Sequence, residues 1–472
     1  MKAYTSNNIR NIAVLGHGGK GKTTLCEAML YIAGASDRLG RVADGNTVLD
    51  FDSEEKRRKS SVSSAIAALE WDNTKLNIID APGLFDFEGG AAEAVRAAEA
   101  VLIVTSAGSG VDVGTEKAFR AAEKKGAAKF FAVTKTDSDH RNFYKTFDAL
   151  KEVYGNKLCP TIIPYMEGNI TKCYVNLMTG MAFSYDENGK ATKVPVPEDS
   201  VIEEMTSAFM EAVATTDDAL MEKFFEGEKF TKEEILKGLC IGIFDGSIYP
   251  VYAVSGLTCA GVDQLLYGLA WSAPGAFGYA GEKCTYENGE EGILPCDENG
   301  PLAAVCFKTI ADPFVGKMSF FKVVSGKLAP DTAAYNFRTG EIEKMGKIVF
   351  VKGAKQEDAP AGDIGVVTKM AGVKTGDTLC DPKNILKLAG VDFPKPCLSM
   401  AVKVSKKGEE EKVAAGLTRL MEEDPTITFA LNKETREQVL SGLGEQHLDV
   451  IVSKLKNKFG VDVTLELPKV AY

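Results

Sequence analysis

A glycine-rich loop near the start of the chain has the residue types and spacing that favour phosphate chemistry. It follows an apolar run at residues 12–15 and precedes a helical pattern that starts at residue 25. The backbone N–H groups of such a loop turn inward around phosphate oxygens, and the positive end of the helix faces them. We therefore predict a nucleoside triphosphate site formed by Gly16, His17, Gly18, Gly19, Lys20, Gly21, Lys22, Thr23 and Thr24. A glycine-rich turn ahead of an ordinary helix is the alternative.

Two motifs supply the groups expected to act on the phosphates. Lys22 would reach the β- and γ-phosphates as a candidate catalytic group, and Thr23 would offer its hydroxyl to Mg²⁺. Asp80 would help to hold Mg²⁺, and Gly83, the second catalytic candidate, would donate its N–H to the γ-phosphate. This second motif closes the apolar strand predicted at residues 76–79 and consists of Asp80, Ala81, Pro82 and Gly83. A plain turn at the end of a strand is the alternative interpretation of it.

A third motif would select the base. The carboxylate of Asp137 can accept hydrogen bonds from both N1–H and the exocyclic amine of guanine, and adenine offers no such pair of donors. The aliphatic stem of Lys135 would pack over the base. A surface turn is the alternative, because such a motif taken alone is weak evidence for base recognition. The motif closes the strand predicted at residues 130–133 and consists of Thr134, Lys135, Thr136 and Asp137; Ser255 and Gly256 would add a backbone N–H for the guanine oxygen.

The segment of residues 50–61 is highly charged. A solvated loop explains that composition, and a loop ordered by Mg²⁺ and the γ-phosphate explains it as well. The two interpretations are compatible, because a switch loop must be exposed and mobile in one of its states.

Alternating strands and helices are expected to position these motifs. Strands predicted at residues 12–15, 76–79, 101–104, 130–133 and 252–254 indicate a mostly parallel sheet, with the last strand completing it. Ligands of such sheets bind at the carboxyl ends of the strands, where all three motifs lie. Residues 158–245 read as an insertion, with a β-hairpin at 174–196 followed by acidic helices.

The remainder of the chain predicts two further domains. Turn residues at short intervals after residue 281 indicate a β-barrel, and the order strand, helix, two strands, helix, strand after residue 394 indicates a split βαβ sandwich. The predicted fold class is therefore an α/β P-loop GTPase domain with an inserted α+β subdomain, then a β-barrel, then a ferredoxin-like domain. We place these domains at residues 1–280, 281–393 and 394–472.

Composition narrows the functional classes. The net charge of −11 over 472 residues argues against coating nucleic acid by bulk positive charge, although it permits a local basic patch. The ten cysteines form no CxxC pair, so we expect reduced, mostly buried thiols and no zinc site. His17, His140 and His447 are too dispersed for a metal cluster. No apolar run is long enough to span a bilayer, which predicts a cytoplasmic, membrane-free protein, and we expect a monomer.

With these elements in order, the chain resembles the translational GTPases, and most closely elongation factor G. Residues 311–316 and 361–365 are similar to the second domain of that family, and residues 422–426 and 441–448 to its third. The resemblance implies GTP and GDP as ligands, Mg²⁺ as the metal and the ribosome, with its RNA and proteins, as the partner. It also implies two further domains that have no counterpart in this sequence, so we expect a truncated member of the family.

The departures from the family pattern bear on catalysis. Gly18 and Gly19 replace an apolar residue and an aspartate, and Thr134 replaces an asparagine. Ser61 replaces a threonine but keeps a hydroxyl, so the resemblance implies a metal site of Thr23, Ser61 and Asp80. Leu84, among the residues expected to line the nucleotide site, stands where the family has a histidine beside the attacking water, and leucine can neither orient water nor carry a proton.

Three hypotheses follow. One is a ribosome-associated GTPase in which another group, or the ribosome, replaces the missing histidine. A second is a GTP-binding module with little or no hydrolysis, which Leu84 favours. A third is an ATP-dependent kinase or other phosphoryl-transfer enzyme, against which Asp137 and the two later domains argue.

Overall fold

A computed structural model describes residues 3–138, 142–312, 316–349 and 358–469. His140 and residues 313–315 of the motif at 311–316 therefore lie outside the described part of the chain. Within that part, no helix combines the length and apolar character needed to cross a membrane. Seven of the ten cysteines are buried as expected, whereas Cys240, which lies in an apolar stretch of sequence, is exposed.

A ten-stranded sheet positions the glycine-rich loop and the two other motifs. Five consecutive pairings in it, from β3 through β1, β4, β5 and β10 to β6, are parallel. Its central strands are mostly apolar on both sides because other elements cover both faces. In spatial order the strands are β2 (Ala65–Trp71), β3 (Thr74–Asp80), β1 (Ile9–Leu15), β4 (Ala100–Ser106), β5 (Ala128–Thr134), β10 (Tyr249–Ala253), β6 (Leu158–Glu167), β7 (Ile170–Asn176), β8 (Met181–Tyr185) and β9 (Ala191–Val194).

Nine helices accompany the described part of this sheet. Strands followed by helices return the chain to the same edge, so the loops after β1, β3 and β5 lie together. The helices are α1 (Lys22–Ile32), α2 (Ser53–Arg58), α3 (Glu88–Ala97), α4 (Val113–Lys125), α5 (Phe143–Tyr154), α6 (Ser200–Ala214), α7 (Asp218–Phe225), α8 (Lys232–Asp245) and α9 (Val262–Ser272).

The observed topology corrects two predictions. The last predicted strand does not complete the sheet: β10 lies inside it, between β5 and β6, and the strands of the inserted segment continue the same sheet beyond β10. Strand β2 was not predicted and pairs antiparallel with β3 at the edge. A hydrophobic pattern identifies a strand, but the neighbours of that strand depend on packing across the whole sheet. The predicted hairpin is a meander of β7, β8 and β9, and its turn at Asp186 is confirmed.

The second unit is built from short antiparallel strands around its own apolar core, as the turn chemistry predicts. Among its described residues, the main sheet holds seven strands, and smaller sheets lie beside it. Its strands are β11 (Glu282–Tyr286), β12 (Glu291–Leu294), β13 (Ala303–Asp312), β14 (Gly316–Ser325), β15 (Lys327–Leu328), β16 (Ala333–Asn336), β17 (Glu341–Lys344), β18 (Ile348–Val349), β19 (Ala359–Pro360), β20 (Ile364–Thr368), β21 (Thr378–Cys380) and β22 (Leu386–Leu388).

The third unit confirms the split βαβ prediction. Four antiparallel strands in the order β24-β25-β23-β26 carry two helices on one side, and the two helices pack their apolar faces on the sheet. Its elements are β23 (Leu398–Val404), α10 (Glu410–Glu423), β24 (Thr428–Leu431), β25 (Gln438–Gly442), α11 (Glu445–Phe459) and β26 (Val463–Glu466).

Candidate nucleotide-binding site

The glycine-rich loop connects the end of β1 to the first turn of α1. Its backbone takes left-handed φ angles at Gly19 (75°) and Gly21 (89°), which a chain of glycines adopts without strain. The ammonium of Lys22 is buried inside the loop and donates to the carbonyl oxygen of His17 at 2.8 Å. Burial lowers the pKa of Lys22, while the nearby Asp80 carboxylate opposes that shift. The loop therefore encloses a buried lysine side chain, the arrangement expected of a phosphate-binding loop.

Hydroxyl and carboxylate oxygens meet beside this cation. Thr23 Oγ1 donates to Asp80 Oδ2 at 2.6 Å and lies 3.0 Å from Ser61 Oγ. Ser61 Oγ donates in turn to Asp50 Oδ1 at 3.0 Å. All three predicted metal ligands are thus brought together, and Asp50 joins them.

The donor set of this cluster fits Mg²⁺. Burial raises the pKa of Asp80 to about 7, and its Oδ1 atom is buried without a hydrogen-bond partner among the described residues. A buried carboxylate oxygen without a partner is unfavourable, and a divalent cation would compensate it. Hard oxygen ligands of this kind are the ones that Mg²⁺ prefers.

The motif after β3 lies directly on the glycine-rich loop. Ala81 is buried and donates its N–H to the Val14 carbonyl at 3.2 Å, and Pro82 follows it. A side chain at Gly83 would overlap Lys22 Nζ and the backbone of Gly18, so only glycine allows this approach. The predicted catalytic candidates Lys22 and Gly83 are therefore in contact.

The Leu84 side chain is partly buried and packs against apolar neighbours. A Cβ atom on Gly18 would lie 3.0 Å from Leu84 Cδ2, so the missing side chain at Gly18 leaves room for the leucine. Leu84 also belongs to a small apolar cluster with Val62, Phe87 and Val450. The leucine that replaces the family's histidine thus joins the loop after β3 to the third unit.

The motif after β5 is hydrogen-bonded to the glycine-rich loop. The Thr134 hydroxyl lies 2.6 Å from the Lys20 carbonyl oxygen, to which it donates. The Lys135 ammonium donates to the Gly19 carbonyl oxygen at 2.7 Å. Asp137 is partly exposed at the end of this motif, where a base could reach it. The predicted base-selecting residues therefore border the predicted phosphate loop.

The loop after β10 adjoins the same end of the site. Thr136 Oγ1 donates to the Val254 carbonyl oxygen at 3.0 Å, which places Ser255 and Gly256 beside the base-selecting motif. The Ser255 N–H already donates to Ala260 at 2.9 Å. A Cβ atom on Gly256 would lie 2.9 Å from the Leu25 nitrogen, so Gly256 packs on the first turn of α1. Of the two candidates, Gly256 is the better placed to offer an N–H to a ligand.

Three carboxylates near the loop were not identified from the sequence. Asp112 pairs with Lys20 at 3.2 Å; its own burial would raise its pKa, but hydrogen bonds from Thr115 and Lys20 lower it overall. Asp50 accepts a hydrogen bond from the Ser61 hydroxyl. Its sequence position, within the charged segment of residues 50–61, did not distinguish it from the other charged residues there. Glu27 is fully buried on α1. The sequence contained one indication of Glu27: it is an acidic residue on the apolar side of a predicted helix, four positions after Thr23.

Comparison with known proteins agrees with this geometry. Residues 7–274 match the elongation factor Tu GTP binding domain. Residues 301–382 match elongation factor G domain 2, and residues 393–467 match elongation factor G domain III. The chain belongs to the elongation factor G-like translational GTPases. Its first unit is accordingly a GTP-binding domain of that family.

A solved structure supports the same assignment. A protein from Thermus thermophilus of known crystal structure superimposes with a TM-score of 0.88 at 31% sequence identity. The match covers 98% of this chain and 68% of the Thermus chain. All three units of the elongation factor G-like chain are thus found together in one known protein, and the predicted fold class is confirmed. The residue numbers at which the domains divide stay predictions.

Proposed function

We propose that this elongation factor G-like chain binds GTP and GDP with Mg²⁺ and uses the difference between the two nucleotides as a switch on the ribosome. The observation that carries the proposal is the cluster of Thr23, Ser61 and Asp80 beside the buried ammonium of Lys22. Lys22 would neutralise the β- and γ-phosphates, and Gly83 would donate its N–H to the γ-phosphate. Bound Mg²⁺ would supply positive charge against the phosphates while the three oxygen-bearing side chains hold it.

The base would be guanine. Asp137 would accept two hydrogen bonds from its edge, Lys135 would cover one face, and Gly256 would donate to its oxygen. These contacts cannot be made with adenine, because adenine lacks the paired donors that Asp137 requires. The ribosome is the partner that the family implies, and a cytoplasmic location follows from that partner.

The proposal for the base is tested by titration calorimetry. Wild-type protein should bind GDP in the presence of Mg²⁺ and give no heat with ADP; comparable binding of ADP would contradict the assignment. Asp137→Asn provides a sharper test, because its amide would donate where the carboxylate accepts. It should lose GDP and gain xanthosine diphosphate, whose base has an oxygen at the position of the guanine amine. A variant that binds neither GDP nor xanthosine diphosphate would indicate damage to the fold rather than altered selectivity.

A second candidate function is GTP occupancy with little hydrolysis. Leu84 favours it, because the side chain is packed with Val62, Phe87 and Val450 and carries no group that could orient water. Single-turnover hydrolysis with and without ribosomes separates the two candidates, with Leu84→His and Leu84→Ala as matched variants. Slow turnover in wild type and Leu84→Ala, with a faster rate in Leu84→His, supports the occupancy function. A wild-type rate equal to that of an ordinary elongation factor contradicts it.

A further inference from the structure

Glu27 is a fully buried carboxylate on the helix that follows the glycine-rich loop. It lies one helical turn after Thr23, on the same side of α1. Its Oε1 atom accepts hydrogen bonds from the backbone nitrogens of Val48 at 2.7 Å and Leu49 at 2.9 Å. A carboxylate is removed from water only at a large cost unless such bonds compensate it. The Glu27 carboxyl group therefore holds residues 48–49 against α1.

The held segment leads directly to the proposed metal site. The next residue, Asp50, accepts from the Thr47 hydroxyl at 3.1 Å and from the Ser61 hydroxyl at 3.0 Å. Ser61 in turn lies 3.0 Å from Thr23. A continuous series of hydrogen bonds thus runs from the Glu27 carboxylate through the backbone to the hydroxyl that would contact Mg²⁺.

We propose that Glu27 is a positioning residue for the metal end of the nucleotide site. It touches neither nucleotide nor metal; it fixes residues 48–50 on α1, so that Asp50 can hold the Ser61 hydroxyl in place. The inference rests on the proposed binding of GTP with Mg²⁺. Because Ser61 lies in the charged loop that the γ-phosphate would order, the effect of Glu27 should be specific to GTP and should leave GDP binding nearly unchanged.

The variants Glu27→Met and Glu27→Gln separate positioning from packing. Methionine has a similar volume but offers no acceptor to the two N–H groups, whereas glutamine keeps a carbonyl oxygen for them. We expect Glu27→Met to raise the Mg²⁺ concentration required to retain a fluorescent GTP analogue by about tenfold, the scale found for residues that orient metal ligands. Glu27→Gln should restore most of the retention, and dissociation of the GDP analogue should be similar in all three proteins.

Hydrogen exchange of the nucleotide-free protein gives a readout that does not involve binding. The amides of Val48 and Leu49 should exchange faster in Glu27→Met than in wild type or Glu27→Gln, because they lose their acceptor. Unchanged exchange at both amides would overturn the inference.

A third variant, Gly40→Ala, keeps the Glu27 carboxyl group but displaces it. A side chain on Gly40 would overlap the Glu27 carboxylate and approach Thr47 Cα to 2.9 Å, so Gly40→Ala should reproduce the Glu27→Met phenotype. Gly110→Ala is the matched control, since a Cβ atom there meets nothing within 4 Å. If wild type fails to bind GTP, the proposed function fails. If wild type binds GTP with Mg²⁺ and both variants retain it equally well, only the role of Glu27 is refuted.

Discussion

The GTP-binding domain contacts its two neighbours through different elements of its fold. Toward the barrel, strands β1 and β3 make buried contacts. Lys75 pairs with Asp363 at 2.7 Å, with 1% and 0% of the two side chains exposed. Asn77 donates to the same carboxylate at 2.9 Å, and Asn11 donates to the Gly362 carbonyl oxygen at 2.7 Å.

Toward the third domain, the contacts come from the two segments that carry the proposed switch. Asp52 pairs with Lys454 at 3.1 Å, and Glu54 accepts from the Ser453 hydroxyl at 2.6 Å. After β3, the Asp86 carboxylate accepts from the backbone nitrogen of Gln446 at 2.8 Å, at the start of α11. Both segments thus meet the same helix.

The difference indicates which neighbour can respond to the nucleotide. Residues within β1 and β3 cannot move without breaking the hydrogen bonds of the sheet. We therefore expect the barrel and the GTP-binding domain to move together as one rigid body. Residues 52–63 and 84–89 lie outside the sheet and adjoin the proposed γ-phosphate position, so the contacts of α11 should depend on which nucleotide is bound.

Removing one partner of the buried pair should have the largest effect. Asp363→Ala would leave the Lys75 ammonium buried without its carboxylate, which should lower the free energy of unfolding by about 3–5 kcal/mol. Urea denaturation measures this. Asp392→Ala is the control, because the Lys124–Asp392 pair joins the same two domains but is exposed. Equal stability of the two variants would contradict the distinction between buried and exposed contacts.

Nucleotide exchange should alter the third-domain interface and leave the barrel interface unchanged. We expect α11 to gain protection from hydrogen exchange when GDP is replaced by a non-hydrolysable GTP analogue with Mg²⁺, with a coupling of about 1–3 kcal/mol. Strand β20, which follows Asp363, should show no difference. A matching change in β20 would remove the contrast between the interfaces.

Loss of the acceptor at the start of α11 should have a smaller effect. The helix has no side-chain cap of its own, and Asp86 supplies the acceptor from another domain. Asp86→Ala should therefore destabilise the third-domain interface by about 1 kcal/mol, as removal of a helix cap does. Exchange rates of the Gln446 and His447 amides measure it. Asp86→Asn keeps an acceptor oxygen, so its amide exchange rates should match those of wild type. Equally increased exchange in Asp86→Ala and Asp86→Asn would argue against the capping role.

The ion pair between α2 and α11 should contribute least. Arg58 pairs with Asp449 at 2.5 Å, but 68% of the aspartate side chain is exposed. Asp449→Ala should change the same exchange rates by the equivalent of about 0.5 kcal/mol or less, and added salt should reduce the difference. An effect larger than that of Asp86→Ala would reverse the proposed order of the contacts.

Local features of this protein followed from its sequence. The glycine-rich loop between β1 and α1 was predictable because it consists of nine consecutive residues, Gly16 to Thr24, whose turn requires glycine. The order of helices and strands in the third domain was predicted correctly, because short loops separate strongly periodic segments. The family followed as well, from motifs that each lie within a few residues.

Contacts between distant residues needed the tertiary structure. Glu27 bonds to residues 21 and 22 positions away, Lys75 and Asp363 are 288 positions apart, and Asp86 and Gln446 are 360 apart. The place of β10 inside the sheet and the packing of Leu84 depend on the same long-range arrangement. A sequence pattern records the burial and polarity of each residue, but which buried groups satisfy one another is fixed only when the domains pack together.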